Sequence, residues 1–193
     1  MPLAITDADA LILVDVQNDF LPGGALAVPG GDAVVAPLNR AAALFAARGR
    51  PVFATRDWHP ADHCSFRARG GPWPPHCVAG TPGAAFAPGL RLPPSAVTVS
   101  KATTAERDAY SGFQGTDLAD RLRAAGVTRV MVGGLATDYC VKETVADALA
   151  AGFAVVLLTD AIRAVDVHPG DGEAASAKML AAGAVPAATA ELA

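Results

Sequence analysis

Asp15 is a carboxylate inside an otherwise apolar run, Ala10 to Val16, where an acid is expensive to bury without a partner. Such a group either anchors the following loop or acts as a general base, its pKa set by burial and a neighbouring cation. Lys101 directly follows a second apolar run, Ala96 to Ser100. Alone, a lysine is as readily a solvated surface group; fixed beside a buried carboxylate, it holds that carboxylate ionised and steadies developing negative charge. Cys140 closes the stretch Gly133-Gly134-Leu135-Ala136-Thr137-Asp138-Tyr139-Cys140, where glycines permit a sharp turn from strand to helix. In the first turn of a helix the free amides and the dipole favour thiolate, and the same amides can receive an oxyanion; a packed structural cysteine is the alternative. Asp57-Trp58-His59 sets two metal-capable side chains one residue apart, with His63 and His76 further along the same segment. A carboxylate with two imidazoles is a common ligand set for catalytic zinc, iron or manganese, although the D-x-H pattern alone is weak and surface histidines are its bland counterpart. His168, followed by Pro169, reads as a solvated loop residue.

These residues need elements to hold them. Five short apolar runs rich in branched side chains, Ala10 to Val16, Pro51 to Thr55, Ala96 to Ser100, Arg129 to Gly133 and Ala154 to Thr159, suit strands buried on both faces. Helical patterns lie among them at Asp32 to Arg48, Asp117 to Ala125 (N-cap Thr116), Asp138 to Ala151 and Glu173 to Ala182, with Gly49, Gly126, Gly152 and Gly183 as stops. The alternation predicts an α/β fold: an open, mostly parallel, doubly wound sheet flanked by helices on both faces. Residues 1–193 are expected to form a single domain with a loop insertion at about 56–95, rich in proline, histidine and aromatic side chains. Asp15, Asp57 with His59, Lys101 and Cys140 each stand at the carboxyl end of a different expected strand, the edge where open α/β sheets bind ligands.

Composition excludes other classes. Net charge is −4 at pH 7, leaving no basic surplus for a phosphate backbone, so no nucleic-acid partner is expected. Every apolar run is interrupted well short of the roughly 18 residues of a membrane span, so no membrane partner is expected either. Three cysteines, an odd number, and a beginning without a basic then apolar segment predict a reduced, cytoplasmic protein.

Five segments carry a resemblance: Val14-Asp15-Val16-Gln17-Asn18-Asp19-Phe20, Asp57-Trp58-His59-Pro60-Ala61-Asp62-His63, Trp73 to Ala84, Asp108-Ala109-Tyr110-Ser111-Gly112-Phe113 and Gly134 to Val141. In order and spacing they resemble the nicotinamidases (pyrazinamidases) of the isochorismatase-like hydrolase superfamily. The resemblance implies hydrolysis of nicotinamide to nicotinate and ammonia through a cysteine thioester, with pyrazinamide as a further substrate. It assigns Cys140 as nucleophile, Asp15 as proton acceptor and donor, and Lys101 as third member of a triad. It also implies an oxyanion hole of the Ala136 and Cys140 amides, following a cis peptide at Leu135-Ala136 in many members. One divalent metal ion is implied on Asp57, His59 and His76, zinc first with iron or manganese as alternatives, and Phe20, Trp73 and Tyr110 are implied as walls for the pyridine ring. His63 stands closer to the D-x-H pair than an additional histidine of some members and is expected to be peripheral. Ala102 stands where glycine often follows the lysine. A related amidase acting on another small carboxamide without metal, and a catalytically silent binding or metal-storage protein, are the rival readings. Self-association into a homo-oligomer is left open.

Overall fold

The computed structural model describes residues 2–193. Strands β1 (Asp9–Val14), β2 (Val52–Asp57), β3 (Val97–Lys101), β4 (Arg129–Leu135), β5 (Ala154–Arg163) and β6 (Val185–Ala187) form one sheet in the order β3-β2-β1-β4-β5-β6. Every pairing in it is parallel. Helices α1 (Val35–Ala47), α2 (Leu118–Ala124), α3 (Lys142–Ala150) and α4 (Asp171–Ala181) complete the layers. The chain winds outward from β1 to β3, then crosses back to β4 on the other side of β1. That reversal opens a crevice beyond the carboxyl ends of β1 and β4.

Strand β1 is buried along its whole length, and its alternation divides the core. Leu11 and Leu13 pack with Leu38 and Phe45 of α1 on one face. Ile12 and Val14 pack with Leu118 and Leu122 of α2 and Val145 of α3 on the other. The β1/β4 junction leaves no room for a side chain at Gly134, where a Cβ would lie 2.1 Å from the Val14 carbonyl oxygen and φ is +132°.

The five expected strands and four expected helices are present, with shifted ends. Strand β1 stops at Val14, and Asp15 lies one residue beyond it at φ 50°. Strand β2 runs on to include Asp57, because its ladder with β3 continues through the pairing of Asp57 with Lys101. The helix expected from Asp32 opens as a 3-10 turn, Gly31–Val34, and the one expected from Asp138 opens as a π-helical turn, Thr137–Val141. Asp117, not Thr116, is the N-cap of α2, while the Thr116 hydroxyl oxygen accepts from the Leu118 amide at 3.3 Å. Strand β6 was not expected: three residues with a central proline carry too little pattern to read, and only an edge position tolerates that proline. Among the described residues no helix is long and apolar enough to cross a membrane, and Cys64, Cys77 and Cys140 are all free.

The segment between β2 and β3 has no named strand, yet single bridges pin it: His59 to Val78, Phe66 to Trp73, and Phe86 to Gln17. The buried Gln17 amide ties the end of β2 to Ala84 of this segment. Its oxygen accepts from the Asp57 N–H at 2.8 Å, and its nitrogen donates to the Asp57 carbonyl at 2.8 Å and the Ala84 carbonyl at 2.9 Å.

Candidate active site

Four strand ends deliver their side chains to one point. Lys101, the last residue of β3, is fully buried, and its ammonium lies 2.9 Å from Asp15 Oδ2 and 3.5 Å from Cys140 Sγ. The same nitrogen donates to Asp57 Oδ1 and, at 3.1 Å, to the Ala109 carbonyl. Asp15 Oδ1 accepts from the Thr55 hydroxyl at 2.7 Å. Burial alone would lower the lysine, but Asp15, Asp57 and Cys140 outweigh it and raise its pKa well above the usual range, so the ammonium is permanent. Burial pushes the Asp15 carboxyl up against the pull of Lys101, whereas Asp57 stays depressed because Lys101 and His59 more than offset its burial.

Cys140 departs from expectation. Burial pushes its thiol well above the ordinary range, Lys101 opposes this, and Asp15 and Asp57 add to it. A helix start next to two carboxylates in a dry site does not yield a resting thiolate; the proton stays on sulfur until something takes it. The Leu135-Ala136 peptide is cis, and the turn that follows holds Cys140 with the Val141 amide bonded to the Ala136 carbonyl at 3.1 Å.

Asp57, His59 and His76 offer ligand atoms that all lie within 4.8 Å of one another, and all three residues are buried. The imidazoles are oriented from behind. His59 Nδ1 lies 3.2 Å from the Ala102 carbonyl and His76 Nδ1 2.8 Å from the Pro74 carbonyl, contacts that require Nδ1–H and leave each Nε2 a free lone pair. His59 Nε2 is buried without a hydrogen-bond partner, 3.6 Å from Asp57 Oδ2. An orphaned lone pair beside a carboxylate fits a divalent cation, and the mixed oxygen and nitrogen set suits zinc, iron or manganese. His63 is spent elsewhere, its Nδ1 2.7 Å from the Ser65 hydroxyl and its Nε2 3.1 Å from the Arg107 carbonyl. It stacks on His59 at 4.1 Å between centroids, which steadies that ring.

Asp57, His59, His76 and the Cys140 sulfur face one cavity, with Asp15 and Lys101 buried behind it. Phe20, Trp73, Tyr110, Ala136 and Cys140 all line it. Trp73 Nε1 donates to the Tyr110 hydroxyl at 3.0 Å, and Tyr139 meets the Trp73 ring edge-on at 5.1 Å. The wall made by Tyr139 and the brace made by Gln17 went unassigned from the sequence. Tyr139 immediately precedes Cys140, and Gln17 is two residues from Asp15, so proximity to the reactive groups was the available signal.

A family model described as the isochorismatase domain matches residues 9–191. The nicotinamidase of Escherichia coli (strain K12) is 43% identical over 196 residues, spanning 91% of this chain and 92% of that protein. The solved pyrazinamidase of Pyrococcus horikoshii in complex with zinc is 51% identical with a TM-score of 0.90, covering 94% of this chain and 99% of that one. The solved PnC1 of L. infantum in complex with nicotinate is 39% identical with a TM-score of 0.91, covering 100% and 99%. With its sheet order, its strand-end residues and a match across nearly its whole length, the chain belongs to the isochorismatase domain family.

Proposed function

We propose that this protein is an amidohydrolase that converts nicotinamide to nicotinate and ammonia, with pyrazinamide as a second substrate, and that it works in the cytoplasm as a single domain. The observation that carries this reading is that Cys140, backed by the buried Asp15 and Lys101, faces the same cavity as a metal-competent Asp57, His59 and His76. The curated relatives and solved neighbours named above support the substrate class.

An amide is a poor electrophile and ammonia a poor leaving group, so the site must supply a nucleophile, an oxyanion hole and an acid. Sγ of Cys140 attacks the carboxamide carbon as its proton passes to Asp15. Lys101 opposes charge on both groups throughout. The oxyanion is received by the Ala136 and Cys140 amides. Collapse of the tetrahedral species breaks the C–N bond, and Asp15 returns its proton to the departing nitrogen, releasing ammonia and leaving a thioester. Water then attacks the thioester with Asp15 as base, releasing the carboxylate and restoring the thiol. Asp57, His59 and His76 would hold a divalent cation, which when bound supplies a Lewis-acid seat for the pyridine nitrogen and so orients the ring. Phe20, Trp73 and Tyr110 wall the ring and exclude water.

The test is ammonia release from nicotinamide, pyrazinamide and an aliphatic amide, with and without chelator. Turnover of both ring amides that chelator suppresses and added zinc restores is the expected result. Preference for the aliphatic amide with indifference to chelator would overturn the reading.

A further inference from the structure

The Lys101 ammonium sits where a second metal ion could sit. Asp15, Asp57 and Cys140 form their own three-donor group, with ligand atoms within 4.8 Å of one another and all three residues buried. Two carboxylate oxygens and a sulfur are a donor set that suits zinc or cadmium. Asp57 belongs to both groups. Its Oδ1 faces Lys101 and its Oδ2 faces His59, so one carboxylate separates two cation positions back to back. Asp15 Oδ2, 2.9 Å from the ammonium, has no hydrogen-bond partner among the described residues. A buried group of two acids and a thiol beside a metal-competent set therefore has the donors of a second cation position that shares Asp57 with the first.

The geometry points to Lys101 as a tethered cation that keeps a divalent metal away from the nucleophile. An ammonium and a metal are not equivalent occupants. Zinc draws oxygen and sulfur donors in to about 2.0–2.3 Å and consumes a sulfur lone pair in a bond. The ammonium holds Asp15 at 2.9 Å and Cys140 Sγ at 3.5 Å, spacings of an ion pair and a long hydrogen bond that leave the sulfur free of any coordinate bond. Its N–H donors go to Asp57, the Ala109 carbonyl and, in a long contact of 3.5 Å, the Cys140 sulfur, while Asp15 pairs with its charge, so the sulfur accepts only a weak hydrogen bond in place of a metal bond. The same charge balances the two carboxylates that would otherwise attract a metal. This inference rests on the placement of the four side chains, and amide turnover is not its readout.

The experiment is cadmium titration followed by the ultraviolet thiolate-to-cadmium charge-transfer band, with Cys140→Ala giving the contribution of Cys64 and Cys77 to be subtracted. Wild-type protein should show no Cys140-dependent band, because cadmium enters only the Asp57, His59 and His76 group. Lys101→Ala should gain a Cys140-dependent band and retain one more equivalent of cadmium after gel filtration. A Cys140-dependent band in wild-type protein would overturn the inference, and the wild-type titration decides this even where a Lys101 variant does not fold. A folded Lys101→Ala that still binds a single equivalent without the band would overturn it equally.

Discussion

Strand β1 carries a buried aspartate at each end, and the two are treated in opposite ways. Asp9, the first residue of β1, is fully buried and fully satisfied. Arg129 grips it with Nε at 2.7 Å and Nη2 at 2.6 Å, and Thr6 adds its amide at 2.6 Å and its hydroxyl at 2.9 Å. Asp15, just past the other end, is equally buried but shares a single ammonium with Asp57 and the Cys140 sulfur. Burial would raise both carboxyls. At Asp9 the Arg129 and Thr6 bonds outweigh it and leave the pKa lowered, while at Asp15 it prevails over Lys101 and leaves the pKa raised. A buried charge therefore does not mark a reactive site; a buried charge with more claimants than partners does. Backbone strain is one-sided too. The non-glycine residues with positive φ, Asp15, Cys77, Ala102 and Asp166, all lie beyond the carboxyl ends of strands.

Exchanging each aspartate for asparagine separates the two ends. Asp15→Asn should lower kcat about a thousandfold or more, since it removes the carboxylate that takes the thiol proton, while the protein still melts cooperatively. Steady-state ammonia release and a melting curve measure both. Asp9→Asn should do the reverse, leaving kcat per folded molecule unchanged while costing about 2 kcal/mol of stability, or about 4–8 °C in Tm. Similar kinetic losses from both variants would erase the distinction.

The Asp9 pair also has a pH signature. Its folded-state pKa lies below the unfolded value of about 3.9, so its stabilisation is complete above that range and is lost as pH falls through the folded value. The stability gap between wild type and Asp9→Asn should hold steady through neutral pH and narrow below about pH 4, as read by denaturant titration at each pH. The smallest effect concerns strain. Ala102 sits at φ 51°, where glycine is at ease, and Ala102→Gly should raise stability by about 0.5 kcal/mol.

Much of the reactive end was legible because its chemistry interrupts apolar strand patterns: Asp15, Lys101 and Cys140 stand out against the Leu, Ile and Val around them, and parallel winding brings strand ends together. The amino end was not, since Asp9 looks like a polar residue before a strand and its partner Arg129 is 120 residues away. The same blindness to distant partners explains the reversed expectation for the Cys140 thiol. Its local turn favours thiolate, but Asp15 and Asp57 arrive from other strands and act against it. Strand β6 escaped for want of length, and Gln17 for want of any local sign that its amide would brace Asp57.

The central claim is that the Cys140 sulfur is the nucleophile, and ammonia release from nicotinamide by purified Cys140→Ala protein tests it most directly. The account predicts release no faster than the uncatalysed background from a protein with wild-type melting behaviour. Release at close to the wild-type rate would contradict it.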